Sequence, residues 1–129
     1  MRLRLARHPK RLDAAHEIII EELLELDANG KQVAVRAVLE MLADLHEKGS
    51  GSRFVSKLRG TPLWELKPMA RGGEKGGSRV YVFLMGDNDA GIVNCEVKDG
   101  DTADIEKLRI GLQVILAYKA GIPVFRSVR

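Results

Sequence analysis

The stretch KLRGTPLWELKPMARGGEKGGSRVY, Lys57 to Tyr81, decides how the chain reads. Pro62 to Pro68 has the apolar content of a strand, a glycine-rich connection follows, and a second strand opens near Ser78. The charge is lopsided: Lys57, Arg59, Lys67, Arg71, Lys75 and Arg79 face only Glu65 and Glu74. Leu63, Leu66, Val80, Val82 and Leu84 supply what a sheet can bury. A purely structural sheet needs no such excess of cations, whereas a site for a phosphate backbone does.

Working outward toward the C-terminus, Gly72 to Gly77 reads as a mobile loop carrying Lys75, flanked by Arg71 and Arg79. SRVYVFLM continues as a strand, Gly86 to Gly91 as a hairpin turn, and IVNCEVK as the returning strand. Asp99 to Thr102 is a turn, with Asp101 or Thr102 placed to cap a helix over residues 103–120. In that helix Ile105, Leu108, Leu112 and Ile115 are in register, and Gly121 and Pro123 end it. The tail VFRSVR offers a short extended piece.

Toward the N-terminus, Gly49 to Ser52 breaks a helix read over Lys31 to Glu47. An earlier helix, Lys10 to Leu26, carries the stripe Leu12, Ala15, Ile19, Leu23, Leu26, and Asp27 to Gly30 joins the two as an antiparallel hairpin. RLRLAR at residues 2–7 alternates as a short strand, closed by His8-Pro9. The order β-α-α-β-β-β-α predicts an α+β fold: a small antiparallel sheet, helices mainly on one face, an N-terminal helical hairpin and a C-terminal helix.

Length and composition agree with a single domain over residues 1–129, able to bury a core without disulfides or metal. At 45% hydrophobic and 30% charged, the chain is too apolar for a disordered one. The single cysteine, Cys95, excludes an internal disulfide and a Cys-cluster zinc site, and the expected compartment is reducing. His8, His16 and His46 have no visible metal-binding companions, so no metal or cofactor is expected. The basic N-terminus lacks the apolar core of a signal peptide, and the apolar runs fall far short of a membrane span. A cytoplasmic protein is expected.

The net charge of +3 hides a segregation: +5 over residues 1–11, −6 over 12–50, +5 over 51–85 and −1 over 86–129. Such blocks predict a polyanion on a basic sheet face and leave an acidic helical half to meet something basic.

Lys57-Leu58-Arg59-Gly60, Leu63-Trp64-Glu65-Leu66-Lys67 and Ser78-Arg79-Val80-Tyr81, in this order and spacing, resemble the RelE/HigB toxin superfamily, closest to its phage-derived HigB-like branch. Glu96-Val97-Lys98 ahead of a C-terminal helix and the preceding helical hairpin agree with that pattern, over roughly residues 2–120. The resemblance implies a RelE-like fold and a metal-independent endoribonuclease. Such an enzyme acts on mRNA at the ribosome and is restrained by an antitoxin, in this branch usually a small helix-turn-helix protein. It places Arg79 at the scissile phosphate, Lys67 facing RNA, and Lys98 as the basic residue after the fourth strand. The chain departs from the branch at Asp99, where a second lysine is frequent, and it has no tyrosine or histidine at the matching place. Those departures motivate an alternative: a catalytically degenerate module of the same fold that binds nucleic acid or a protein partner.

Metal-free RNA cleavage needs a base for the 2′-OH, an acid for the leaving oxygen and positive charge around the phosphorane. Arginine suits the last task because its planar fork grips two phosphate oxygens. The candidates are therefore Lys67, Arg79 and Lys98 for catalysis, with Lys57, Arg71, Lys75 and Tyr81 holding RNA. Tyr81 shares a strand face with Arg79, so base stacking competes with plain packing as its role. Lys57, Arg59 and Lys75 taken singly read as solvated charges, Trp64 and Cys95 as core, and Glu65 as a structural acid beside a local cation. If Arg79 is a phosphate ligand, its removal is expected to slow cleavage by about a hundredfold or more with folding nearly unchanged.

Overall fold

Strand alternation in the middle of the chain sets the sheet, and the two ends of the chain complete it. In order, the elements are β1 (Arg2–Ala6), α1 (Ile18–Ala28), α2 (Gln32–Lys48), β2 (Val55–Lys57), β3 (Trp64–Leu66), β4 (Gly77–Leu84), β5 (Asp89–Lys98), α3 (Ile105–Lys119) and β6 (Phe125–Ser127). This computed structural model describes residues 1–68, 77–98 and 104–127. The expected loop with Arg71 and Lys75, and the turn from Asp99 to Thr102, lie outside the described residues.

The sheet has six strands in the order β2-β3-β4-β5-β1-β6. It is mostly antiparallel, as expected, but β1 lies parallel to β5, from Arg2↔Asp89 to Leu5↔Ile92. Two strands extend the expected set: Val55–Lys57 pairs with β3, and the tail strand Phe125–Ser127 pairs with β1. The hairpin between β4 and β5 is tighter than its sequence indicates. Met85 N–H already bonds Asp89 C=O at 2.9 Å, so Ala90 and Gly91 belong to the strand. Gly91 is there because the Phe125 ring lies against it; a Cβ would sit 2.4 Å from that ring.

Helices cover both faces. The buried side of α1 and α2 (Ile19, Val38, Met41, Leu45) packs on Leu66, Val80, Val82, Ile92 and Cys95. On the other face α3 brings Val114, Ile115 and Ala117 against Leu63, Val93, Ala6 and Val124. Gly111 lets α3 approach closely, with Leu63 Cδ1 only 2.9 Å from where a Cβ would stand. Half of the expected α3 stripe holds: Ile115 is buried and Leu108 packs on the core, but Ile105 and Leu112 are exposed and Gly111 and Val114 are buried instead. Among the described residues no helix is long and apolar enough to cross a membrane.

The first helix begins at Ile18 rather than near Lys10. The cause is Arg7, a buried cation whose guanidinium donates to the carbonyls of Leu12 (3.2 Å) and Ala14 and lies 3.8 Å from Glu17. The segment that a helical stripe suggested is wrapped around one guanidinium, which satisfies a charge that burial would otherwise penalise.

Candidate functional site

Residues that alternate along a strand share a face, and cross-strand partners share it too. The pairings Glu65↔Tyr81↔Asn94 and Arg79↔Glu96 therefore put these five side chains on the α3 side of β3, β4 and β5. Lys67, the residue after β3, and Lys98, the last of β5, continue the same parity. Four of the seven sequence candidates (Lys67, Arg79, Tyr81 and Lys98) thus share one face of the sheet. Arg71 and Lys75 lie outside the described residues.

Lys57 is not part of this group. It pairs with Trp64, which pairs with Val82, so it stands on the face that α1 and α2 cover. Its Nζ donates to the carbonyls of Thr61 (2.6 Å) and Leu63 (3.4 Å) and sits 5.2 Å from the Trp64 ring centroid. The expectation of one RNA face containing Lys57 is corrected accordingly: this ammonium clasps the β2–β3 turn. Trp64 is half-buried against the core, as read from sequence.

Arg79 is buried, its side chain only 6% exposed. Its Nε lies 3.9 Å from Glu65, and Nη1 donates to Ser78 C=O at 3.1 Å. Lys67, on an exposed strand end, approaches the same carboxylate at 3.8 Å. Glu65 is thus the structural acid expected beside a cation, but it holds two cations and is itself buried. Separations near 4 Å exceed hydrogen-bond length, so this is a Coulombic triad rather than a bidentate clamp.

Tyr81 is fully buried. Burial first, then the carboxylates of Glu96 and Glu65, push its phenol well above the ordinary value, while Arg79 pulls the other way. At neutral pH it is therefore a proton donor and not a base. Asn94 anchors the layer to α3, its Nδ2 donating to Lys107 C=O at 3.1 Å. Glu96 accepts from Asp104 N–H at 3.2 Å, just ahead of the helix that Asp104 caps through Glu106 N–H. Glu96 and Asn94 were missed in the sequence; their spacing from Lys98 by twos was the available signal.

The charge blocks of the sequence are largely paired in space. Arg2 and Arg4 reach Asp89, Arg11 reaches Glu21, and Arg7 lies beside Glu17. The amino-terminal cations therefore do not extend the site into a continuous basic face. Among the described residues, no group of three or more histidine, cysteine, aspartate or glutamate side chains converges to hold a metal ion.

No protein-family model, curated protein or solved structure matches the chain.

Proposed function

We propose that this chain is a metal-independent endoribonuclease that cleaves mRNA, acting at the ribosome as the toxin of a toxin–antitoxin pair. The observation that carries the reading is the convergence of Arg79, Lys67, Lys98 and Tyr81 on one sheet face, with two carboxylates between them. Lys67 comes from the LWELK segment, Arg79 and Tyr81 from SRVY and Lys98 from Glu96-Val97-Lys98, the segments on which the resemblance to RelE/HigB toxins rests, and a RelE-like fold belongs to the same proposal. The restraining partner is an antitoxin, in this reading a helix-turn-helix protein, and the working compartment is the cytoplasm.

In this mechanism the scissile phosphate takes over the cations that Glu65 holds in the free protein. Arg79 spans two phosphate oxygens, Lys67 and Lys98 add charge to the developing phosphorane, and the phenol of Tyr81 is a donor within the same layer. Glu65 keeps Arg79 and Lys67 in place before RNA arrives. Substrate binding therefore exchanges one anion for another at Arg79.

The test is cleavage of a translated mRNA by wild type, Arg79→Lys and Lys67→Ala. Arg79→Lys keeps the charge beside Glu65 but loses the fork, and is expected to cut about a hundredfold more slowly. Normal cutting by a folded Arg79→Lys protein overturns the assignment.

The burial of Arg79 favours a second reading, in which the fold binds nucleic acid or a protein without cutting. RNA that binds in a salt-dependent way to wild type and emerges intact selects it.

A further inference from the structure

The two long strands of the sheet do not end together with their neighbours. Pairing of β1 with β5 stops at Leu5↔Ile92, while pairing of β4 with β5 runs on to Gly77↔Lys98. Over residues 93–98, β5 thus has β4 on one side and no described strand on the other. An open edge exposes backbone donors and acceptors that a second chain can use.

Which groups point outward follows from one hydrogen bond. Cys95 N–H turns away from β4 and bonds Glu22 of α1 at 2.8 Å. A residue's N–H and C=O point the same way in a strand, and the direction repeats every second residue. Val97, a residue 43% exposed, therefore directs both its N–H and its C=O to the open side. Glu22 acts as a plug at Cys95, and it is held there by Lys107 of α3. The plug stops short of Val97.

Beside this edge runs an open groove of about 300 Å³ between α1 and the start of α3. Leu26 and Val97 give it an apolar floor. Since Glu22 neutralises Lys107, the remaining charged lining is Glu25, Glu96 and Asp104 against Lys31. The groove is therefore acidic and runs beside a strand edge that has no partner strand among the described residues.

The geometry points to a docking site for an extended, lysine- or arginine-bearing segment of a partner protein, which adds beside β5 at Val97 and lays its cations along Glu25, Glu96 and Asp104. Main-chain hydrogen bonds to Val97 supply affinity, and the alternate side chains read the acidic lining. The other sheet ends suit this less, since β2 and β6 have only three residues each. This site lies on the β5 edge and does not depend on the proposed ribonuclease reading.

The probe is a capped peptide of alternating lysine and valine, compared with its glutamate–valine counterpart. Titration into the isotopically labelled wild-type chain should saturate, slow hydrogen exchange at the Val97 amide, and favour the basic peptide by about tenfold or more. Val97→Pro removes the outward N–H without touching the β4 ladder and should abolish binding. Should that variant fold poorly, Glu25→Lys on the exposed surface of α1 carries the test, with affinity for the basic peptide expected to fall about tenfold. Absence of saturable binding at low salt overturns the proposal. So does equal binding of the two peptides, protection confined to β2 or β6, or affinity unchanged in the folded variant.

Discussion

Arg79 Nε lies 3.9 Å from the Glu65 carboxylate, and the two side chains are only 6% and 9% exposed. An ion pair so far from water is more sensitive to losing one member than to losing both, because the survivor stays buried without compensation. Arg79→Ala should cost about 3–5 kcal/mol in urea unfolding, whereas Arg79→Met with Glu65→Leu should recover most of it. A folding cost under about 0.5 kcal/mol for the single variant, the level of an ordinary surface change, would refute the buried-pair reading. The sequence-based expectation of nearly unchanged folding is thereby revised, which is why a lysine at this position is the cleaner activity probe.

Lys67 and Lys57 are separated by the plane of the sheet. If the site lies on the Arg79 face, Lys67→Glu should weaken RNA binding and lower the slope of log affinity against log salt by about one. Lys57→Glu should leave that slope unchanged while loosening the β2–β3 turn. Equal losses from the two reversals, measured by filter binding across a salt series, would return Lys57 to the RNA face.

Alkaline pH should find a weakness at Cys95. Burial, with the Glu22 carboxylate adding to it, pushes this thiol from its ordinary 9.0 up to about 12. The folded value is the higher one, so the stability it contributes is complete below pH 9 and is lost as the pH climbs toward 12. Tyr81 shifts the same way, for similar reasons. Above pH 9 the unfolding free energy of Cys95→Ala should therefore fall less steeply than that of wild type, by about 1.4 kcal/mol per pH unit. Parallel slopes would mean that the thiol is not desolvated.

The Glu22–Lys107 contact gives a second loss of stability with rising pH, in the carboxyl range rather than the alkaline one. Burial holds the Glu22 carboxyl above the usual carboxylate value, against the pull of Lys107 and the Cys95 amide. Burial also works against the Lys107 charge, but Glu22 overcomes it and holds the ammonium up. Lys107→Met should raise the Glu22 value further. Stability tied to a raised carboxyl is present below its unfolded value and is lost as pH rises through the folded one. The variant should then match wild type at acid pH and fall about 3 kcal/mol below it near neutrality. A deficit independent of pH would assign the loss to packing alone.

Much of the framework was legible where the signal is local. Alternation marked β4 and most of β5, and the glycine and proline positions marked the ends of α2 and α3. The late start of α1 was not legible, because a helical stripe says nothing about a guanidinium that captures the preceding carbonyls. The parallel contact of β1 with β5 is equally silent, since its partners stand some 87 positions apart, as Arg2 and Asp89 do. For the site, the face shared by Arg79 and Tyr81 followed from parity, whereas the placing of Lys67 and Lys98 on it needed the register between strands. The burial of Arg79 did not, because its anion, Glu65, lies on a neighbouring strand. The sequence charge blocks misled for the same reason: signs that are far apart along the chain are adjacent in space.

The position of β1 between β5 and β6 has a consequence for synthesis. β1 is translated before both walls of the slot it fills, residues 89–98 and 125–127. At roughly 5–20 residues per second, Leu3 and Leu5 wait on the order of ten seconds for a partner. The local helical hairpin forms early by comparison, with the apolar side of Ile19, Val38, Met41 and Leu45 open until β4 and β5 arrive. A nascent-chain chaperone would meet these two surfaces together, and release from it would be timed by the emergence of β5.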